Sequence, residues 1–111
     1  MSQDIFAIAV VRPEEGHEEE VMRILRDLYA LMTRKNYSRD ILYRDAKDPG
    51  RLVNLRYWTS EDARTRAHED PDVHRHWARL GQVAKVEQVM ERLDEISMES
   101  GSSVSEPGNI K

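Results

Sequence analysis

Ala84-Lys-Val-Glu-Gln-Val-Met-Glu-Arg-Leu-Asp-Glu-Ile96 decides the fold of this 111-residue chain, because everything before it reads as β-α-β-β-α. Val86, Val89, Met90 and Leu93 recur at helical spacing, whereas Val86-Glu-Gln-Val-Met alternates less cleanly than a strand, so periodicity by itself favours a helix. If residues 84–96 form a strand instead, the order becomes βαββαβ. That is the split βαβ sandwich, with two helices on one face of a four-stranded antiparallel sheet.

Upstream, Ile5-Phe-Ala-Ile-Ala-Val-Val11 is an unbroken run of β-favouring residues closed by Arg12-Pro13, which predicts a central strand buried on both faces. After a turn at Glu14 to Gly16, Val21, Ile24, Leu25, Leu28, Leu31 and Met32 recur with charged residues between them, predicting a helix over 17–34. Residues 37–45 alternate as a second strand, with Ile41 and Tyr43 on one face and Leu42 on the other. Asp48-Pro49-Gly50 is a turn, since Pro presets φ and Gly accepts positive φ, and a third strand over 51–58 completes a hairpin. Thr59 or Ser60 caps the next helix, with Glu61 and Asp62 at the positive end of its dipole. Asp70-Pro71 interrupts that helix, and Val73, Trp77 and Leu80 form the buried ridge of a second piece over 72–82.

The third strand carries the chemistry. Alternation puts Leu52, Asn54, Arg56 and Trp58 on one face and Val53, Leu55 and Tyr57 on the other. A buried polar group without a partner costs roughly 1–3 kcal/mol, so an amide, a guanidinium and an indole on one face must meet water, a ligand or built partners. Two readings stand: a pocket wall, or an edge strand with Asn54 and Arg56 wet and Trp58 capping the core.

Composition narrows the classes. With 39% hydrophobic and 34% charged residues and no apolar run near the roughly 20 residues that span a bilayer, a single soluble domain without membrane contact is expected. Met1-Ser-Gln-Asp lacks the order of a secretory signal and there is no cysteine, which predicts a cytoplasmic protein. The absence of cysteine removes thiol nucleophiles, thiolate metal ligands and redox disulfides. A net charge of −4, with bases interleaved among acids, argues against nucleic acid as a partner. Residues 1–97 read as the domain and 98–111 as a disordered tail too poor in apolar residues to offset its ordering entropy. A four-stranded sheet covered on one face leaves the other bare and apolar, and a two-fold partner is the usual solution, so a homodimer through that face is expected.

The residues Ile5 to Val11 with Arg12-Pro-Glu-Glu-Gly16, Tyr57-Trp58-Thr-Ser-Glu-Asp-Ala63, Ala67-His68, and Asp70-Pro71 before an aromatic-bearing helix together resemble the antibiotic biosynthesis monooxygenase superfamily. The likeness covers about residues 4–96. It implies an α+β fold, ferredoxin-like βαββαβ with a four-stranded antiparallel sheet, assembled as a dimeric α+β barrel, and it tips residues 84–96 toward a strand. Members that oxidise anthrones and related phenols use molecular oxygen without metal, flavin or other cofactor. In them an asparagine and a tryptophan four residues apart on this strand hold and polarise the substrate, and Asn54 and Trp58 match that spacing. The asparagine found on the first strand of some members has no match here, and a later arginine of the pattern corresponds to Arg75 or Arg79 without a choice between them. Heme-degrading members need that asparagine and a histidine ligand on the following helix; Trp58 fits, but His74 and His76 are not in clear register.

The candidates are therefore Asn54 and Trp58 as the catalytic pair and His68 as a general base, against a structural role securing a helix end. Arg56, Tyr43 and Trp77 are candidates to contact a small aromatic substrate. His74-Arg75-His76 is no metal site by spacing, because residues two apart on a helix diverge while zinc pairs use i, i+4. The functional expectation is a cofactor-independent monooxygenase of a planar aromatic or quinol; a non-catalytic or stress-associated dimeric barrel holding a small ligand is the opposing reading.

Overall fold

A computed structural model describes residues 5–98. Its elements are β1 (Ile5–Pro13), α1 (Glu18–Arg34), β2 (Ser38–Arg44), β3 (Leu52–Trp58), α2 (Glu61–His68), α3 (Pro71–Val83) and β4 (Ala84–Leu93). The strands form one sheet in the order β2-β3-β1-β4, with every neighbouring pair antiparallel. This is the ferredoxin-like α+β fold, its second helix split in two at Asp70-Pro71. Nearly all of the expected tail lies outside the described residues.

The helix that periodicity favours for residues 84–96 is a strand, and the pairing explains the false signal. Val86 lies opposite Val11 and Val89 opposite Ala9, with a register shift between them; Met90 lies opposite Ile8 and Leu93 opposite Phe6, with a second shift. Each bulge inserts one residue, so apolar side chains three apart return to the same face of the strand. Strand spacing of two thus becomes three, which imitates a helix.

Local chemistry sets the helix ends. Ser60 accepts the backbone N–H of Ala63 at the start of α2, and Asp70 accepts that of Asp72 at the start of α3, with Pro71 in the first turn where its missing N–H costs nothing. Asn36 closes α1 in the left-handed region at φ 59. Helices cover one sheet face, and the core beneath them has two parts. Val11, Val21, Ile24, Leu25, Leu52 and Leu80 pack at one end, and Leu28, Leu31, Met32, Tyr37, Trp58 and Val73 at the other, with Trp77 against both. β1 is central as expected, but it is buried throughout only over 9–11; Phe6 and Ile8 are half-buried because the second sheet face is uncovered. That face carries Phe6, Ile8, Ile41, Tyr43, Val53, Leu55 and Tyr57, by the pairing of β1, β2 and β3.

Asp70 ties the split helix to α1. Besides capping α3, its buried carboxylate accepts from Tyr37 Oη at 2.7 Å and from Lys35 Nζ at 2.7 Å. Lys35, and then Tyr37, hold this carboxyl well below the usual range. A carboxyl lowered in the folded state stabilises the fold above its unfolded pKa of about 3.9 and loses that contribution as pH falls toward the folded value. Asp70→Asn keeps the cap but not the charge. It is expected to cost about 1–2 kcal/mol at pH 7, by urea unfolding, with the gap to wild type narrowing steadily below about pH 4.

Candidate functional site

The inward face of β3 is the polar one. Burial alternates strictly along Leu52 to Trp58, and Asn54, Arg56 and Trp58 are 3%, 7% and 7% exposed. The wet-edge reading fails because β3 lies between β2 and β1. Ala9 and Ala7 stand opposite Asn54 and Arg56 on β1, and their small side chains leave space that Ile5 and Val11, further along the same face, would fill. The result is a cavity of about 230 Å³ between the sheet and the α2–α3 corner. Ala7, Ile8 and Ala9 line it from β1, Asn54, Arg56 and Trp58 from β3, Val86, Val89 and the exposed Glu91 from β4, and Ala67, His68, Val73, His74 and Trp77 from the helices.

The polar wall is held from behind. Tyr29 on α1 donates its hydroxyl to Asn54 Oδ1, and burial, reinforced by the charge of Asp40, pushes the phenol far above its ordinary pKa, so it stays a neutral donor. Arg56 Nε donates to Asp40 Oδ1 at 2.5 Å, in a pair whose side chains are 8% and 1% exposed. Ser38 donates its hydroxyl to the second oxygen of Asp40 at 3.2 Å. The Arg56 guanidinium lies 5.3 Å from the Trp58 ring centre and 5.8 Å from that of Trp77, so both indoles favour its charge.

Two donors of this wall are unmatched. Among the described residues, Arg56 Nη2 and Trp58 Nε1 are buried without a hydrogen-bond partner; the other such atoms, Arg51 Nε and Arg64 Nε, belong to residues away from the cavity. Orphans of this kind are rare in folded proteins, and each costs roughly 1–3 kcal/mol. A largely apolar chamber whose buried, unmatched polar heads donate is chemically a receptor for a planar molecule bearing acceptor oxygens.

The structure brings Asn54, Arg56, Trp58, His68 and Trp77 around one space. Tyr43 does not join them. It pairs with Val53 on the uncovered sheet face and is 54% exposed, because its position on β2 is odd relative to Leu42, which faces Asn54. His68 is exposed at the rim, edge-on to Trp58 with ring centres 6.0 Å apart. The helix junction is secured by the other histidine: His74 Nε2–H donates to the carbonyl of His68. Neither Arg75, which pairs with Asp72, nor Arg79 lines the cavity. His76 bonds the carbonyl of Asp72 on its own helix, and no group of three His, Asp or Glu among the described residues is placed to hold a metal ion. Asp40 and Tyr29 escaped the sequence reading. The hairpin register would have found Asp40, which stands directly opposite Arg56, and Tyr29 was legible as a polar residue one turn beyond Leu25 on the buried stripe of α1.

Removing one partner of a buried pair strands the other's charge, at a cost of about 3–5 kcal/mol, whereas replacing both by apolar residues is often nearly neutral. Asp40→Ala is therefore expected to lose about 3–5 kcal/mol in chemical denaturation, and Asp40→Leu combined with Arg56→Leu to recover most of it. Equal stabilities for the single and double variants would contradict this reading of the wall.

The family model for antibiotic biosynthesis monooxygenase matches residues 4–80. Among solved structures, the chain is similar to SnoaB, a cofactor-independent oxygenase from Streptomyces nogalater, at 19% identity over 87% of this chain and 98% of that one, with a TM-score of 0.71. A Pseudomonas aeruginosa protein matches at 22% identity over 87% of this chain and 98% of its own, TM-score 0.69. A Mycobacterium tuberculosis protein matches at 21% over 85% and 99%, TM-score 0.66. No curated protein matches the chain. At these identities the structural likenesses speak for the fold, and the family match over most of the sequence speaks for descent. The chain belongs to the antibiotic biosynthesis monooxygenase family.

Proposed function

We propose that this protein is a cofactor-independent monooxygenase that oxidises a planar aromatic or quinol substrate with molecular oxygen, with Asn54, Trp58 and His68 as its catalytic residues and Arg56 and Trp77 contacting substrate. The observation that carries this reading is the pairing of Asn54 and Trp58 in one small apolar cavity, next to buried donors without partners. With its carbonyl occupied by Tyr29, Asn54 has its amide N–H groups left for a substrate oxygen, and Arg56 and Trp58 add two more donors. Fixed donors on a largely apolar wall stabilise charge that develops on an oxygen, so they favour the substrate's anion over its neutral form. His68, at the rim, has the chemistry to accept the proton.

An electron-rich anion of this kind passes an electron to oxygen. Recombination at a ring carbon and loss of water convert a CH2 to a carbonyl, one oxygen atom staying on the product and the other leaving as water. The residues here bind, orient and stabilise the anion and require no further reagent for that balance. About 230 Å³ lies below the roughly 300–1,000 Å³ of pockets for drug-sized ligands, which favours a few fused rings over a porphyrin. The uncovered apolar sheet face is proposed to bury itself against a second copy, giving a homodimer with one cavity per subunit.

Oxygen uptake by metal-stripped protein with a panel of anthrones and quinols tests the activity. Wild type is expected to consume oxygen with at least one of them, and Asn54→Ala and Trp58→Phe to lower kcat at least tenfold, in line with the effect of removing a single oxyanion donor. Full activity in Asn54→Ala would sink the assignment. Uptake by none of the panel, with ligand still bound, favours the non-catalytic barrel. Sedimentation is expected to give a mass of twice the chain.

A further inference from the structure

The buried polar heads of the β3 wall have a common sign, whereas the acceptors of the lining, the Glu91 carboxylate and the His68 ring, belong to exposed residues. Tyr29 takes the carbonyl of Asn54, and Asp40 takes only Nε of Arg56, so the amide of Asn54, Nη2 of Arg56 and Nε1 of Trp58 remain, and each of them donates. All three side chains are more than nine-tenths buried, and the last two atoms lack any partner. The guanidinium also carries a charge that one carboxylate oxygen, 2.5 Å from Nε, holds in place without covering its far side. Two indoles flank it.

We propose that Arg56, positioned by Asp40, selects ligands by charge state: the cavity takes a planar ring system that already carries an ionised ring oxygen, a phenolate or enolate, and discriminates against the neutral molecule of the same shape. This rests on the reading of the cavity as a ligand site. The physical reason is that a buried guanidinium N–H gains much more from an oxyanion than from an ether or a neutral carbonyl. By linkage, a site that prefers the anion tenfold also lowers the pKa of the bound acid by about one unit. The contact that admits the anion is then the one that assists deprotonation of a ligand arriving neutral.

The test is a calorimetric titration of the full chain at pH 7 under nitrogen with 2-hydroxy-1,4-naphthoquinone, ionised at that pH, and with its 2-methoxy ether, which is neutral and nearly the same shape. Both tryptophans of the chain line the cavity, so quenching of intrinsic fluorescence shows that the ligand is seated there. The anion is expected to bind at least tenfold more tightly than the ether. In Arg56→Lys the ammonium still pairs with Asp40 but has no second arm, and the preference is expected to fall below about threefold, chiefly through lost affinity for the anion. Arg56→Gln combined with Asp40→Asn, which removes both charges of the buried pair together, serves as the second variant if the lysine variant fails a thermal melt. Equal affinity for the two quinones, no binding of either, or a preference kept in both variants overturns the proposal. Because oxygen is excluded, a preference without any turnover elsewhere would sink the oxygenase reading alone, and turnover with equal affinities would sink this one alone.

Discussion

A guanidinium lies beneath two helices in this protein, and a carboxylate on the neighbouring strand holds it there. Arg56 and Asp40 stand directly opposite each other on β3 and β2, and their side chains are almost wholly buried. Such a pair is weak evidence for stability, since desolvating both charges cancels much of their attraction. Its effect is architectural: the centre of the covered sheet face cannot close into a dry core. The apolar side chains collect at either end instead, with Trp77 spanning both clusters, and between them Ala7 and Ala9 leave a space lined by Arg56 and Trp58, each of which holds a buried donor without a partner. A core built for stability alone would place a branched aliphatic at those alanines.

The two sheet faces divide the work. The covered face holds the polar wall and the cavity, while the uncovered face is aliphatic and aromatic, with Phe6 stacked on Tyr57 at 4.8 Å and Arg39 over the same ring. One strand, β3, serves both through the parity of its residues: even positions reach the site and odd positions reach the uncovered face. A one-residue slip of β3 would exchange the two sets of side chains, so the Asp40–Arg56 pairing also guards the register.

Much of this was legible in the chain. The inward set of β3 follows from alternation, the start of α2 from Thr59 or Ser60, the break before α3 from Asp70-Pro71, and the grouping of Asn54 with Trp58 from their even spacing. What misled was local. β4 hides its strand character because two bulges bring residues three apart to the same face, and no single-sequence period distinguishes that from a helical turn. Tyr43 was misplaced because proximity on the neighbouring strand is not enough; it has the wrong parity to face Asn54. The contact of Tyr29 with Asn54 and the cavity itself are tertiary facts, set by how α1 and the α2–α3 corner sit over the sheet.

The central claim is that the unmatched donors of β3 exist to meet a ligand oxygen, and the indole N–H of Trp58 reports on it directly. With 2-hydroxy-1,4-naphthoquinone at saturation, the proton resonance of that indole, assigned with Trp77→Phe, is expected to move downfield as the N–H gains an acceptor, while the Trp77 indole in wild type shifts less. A Trp58 resonance that stays in place when the cavity is occupied would contradict the account.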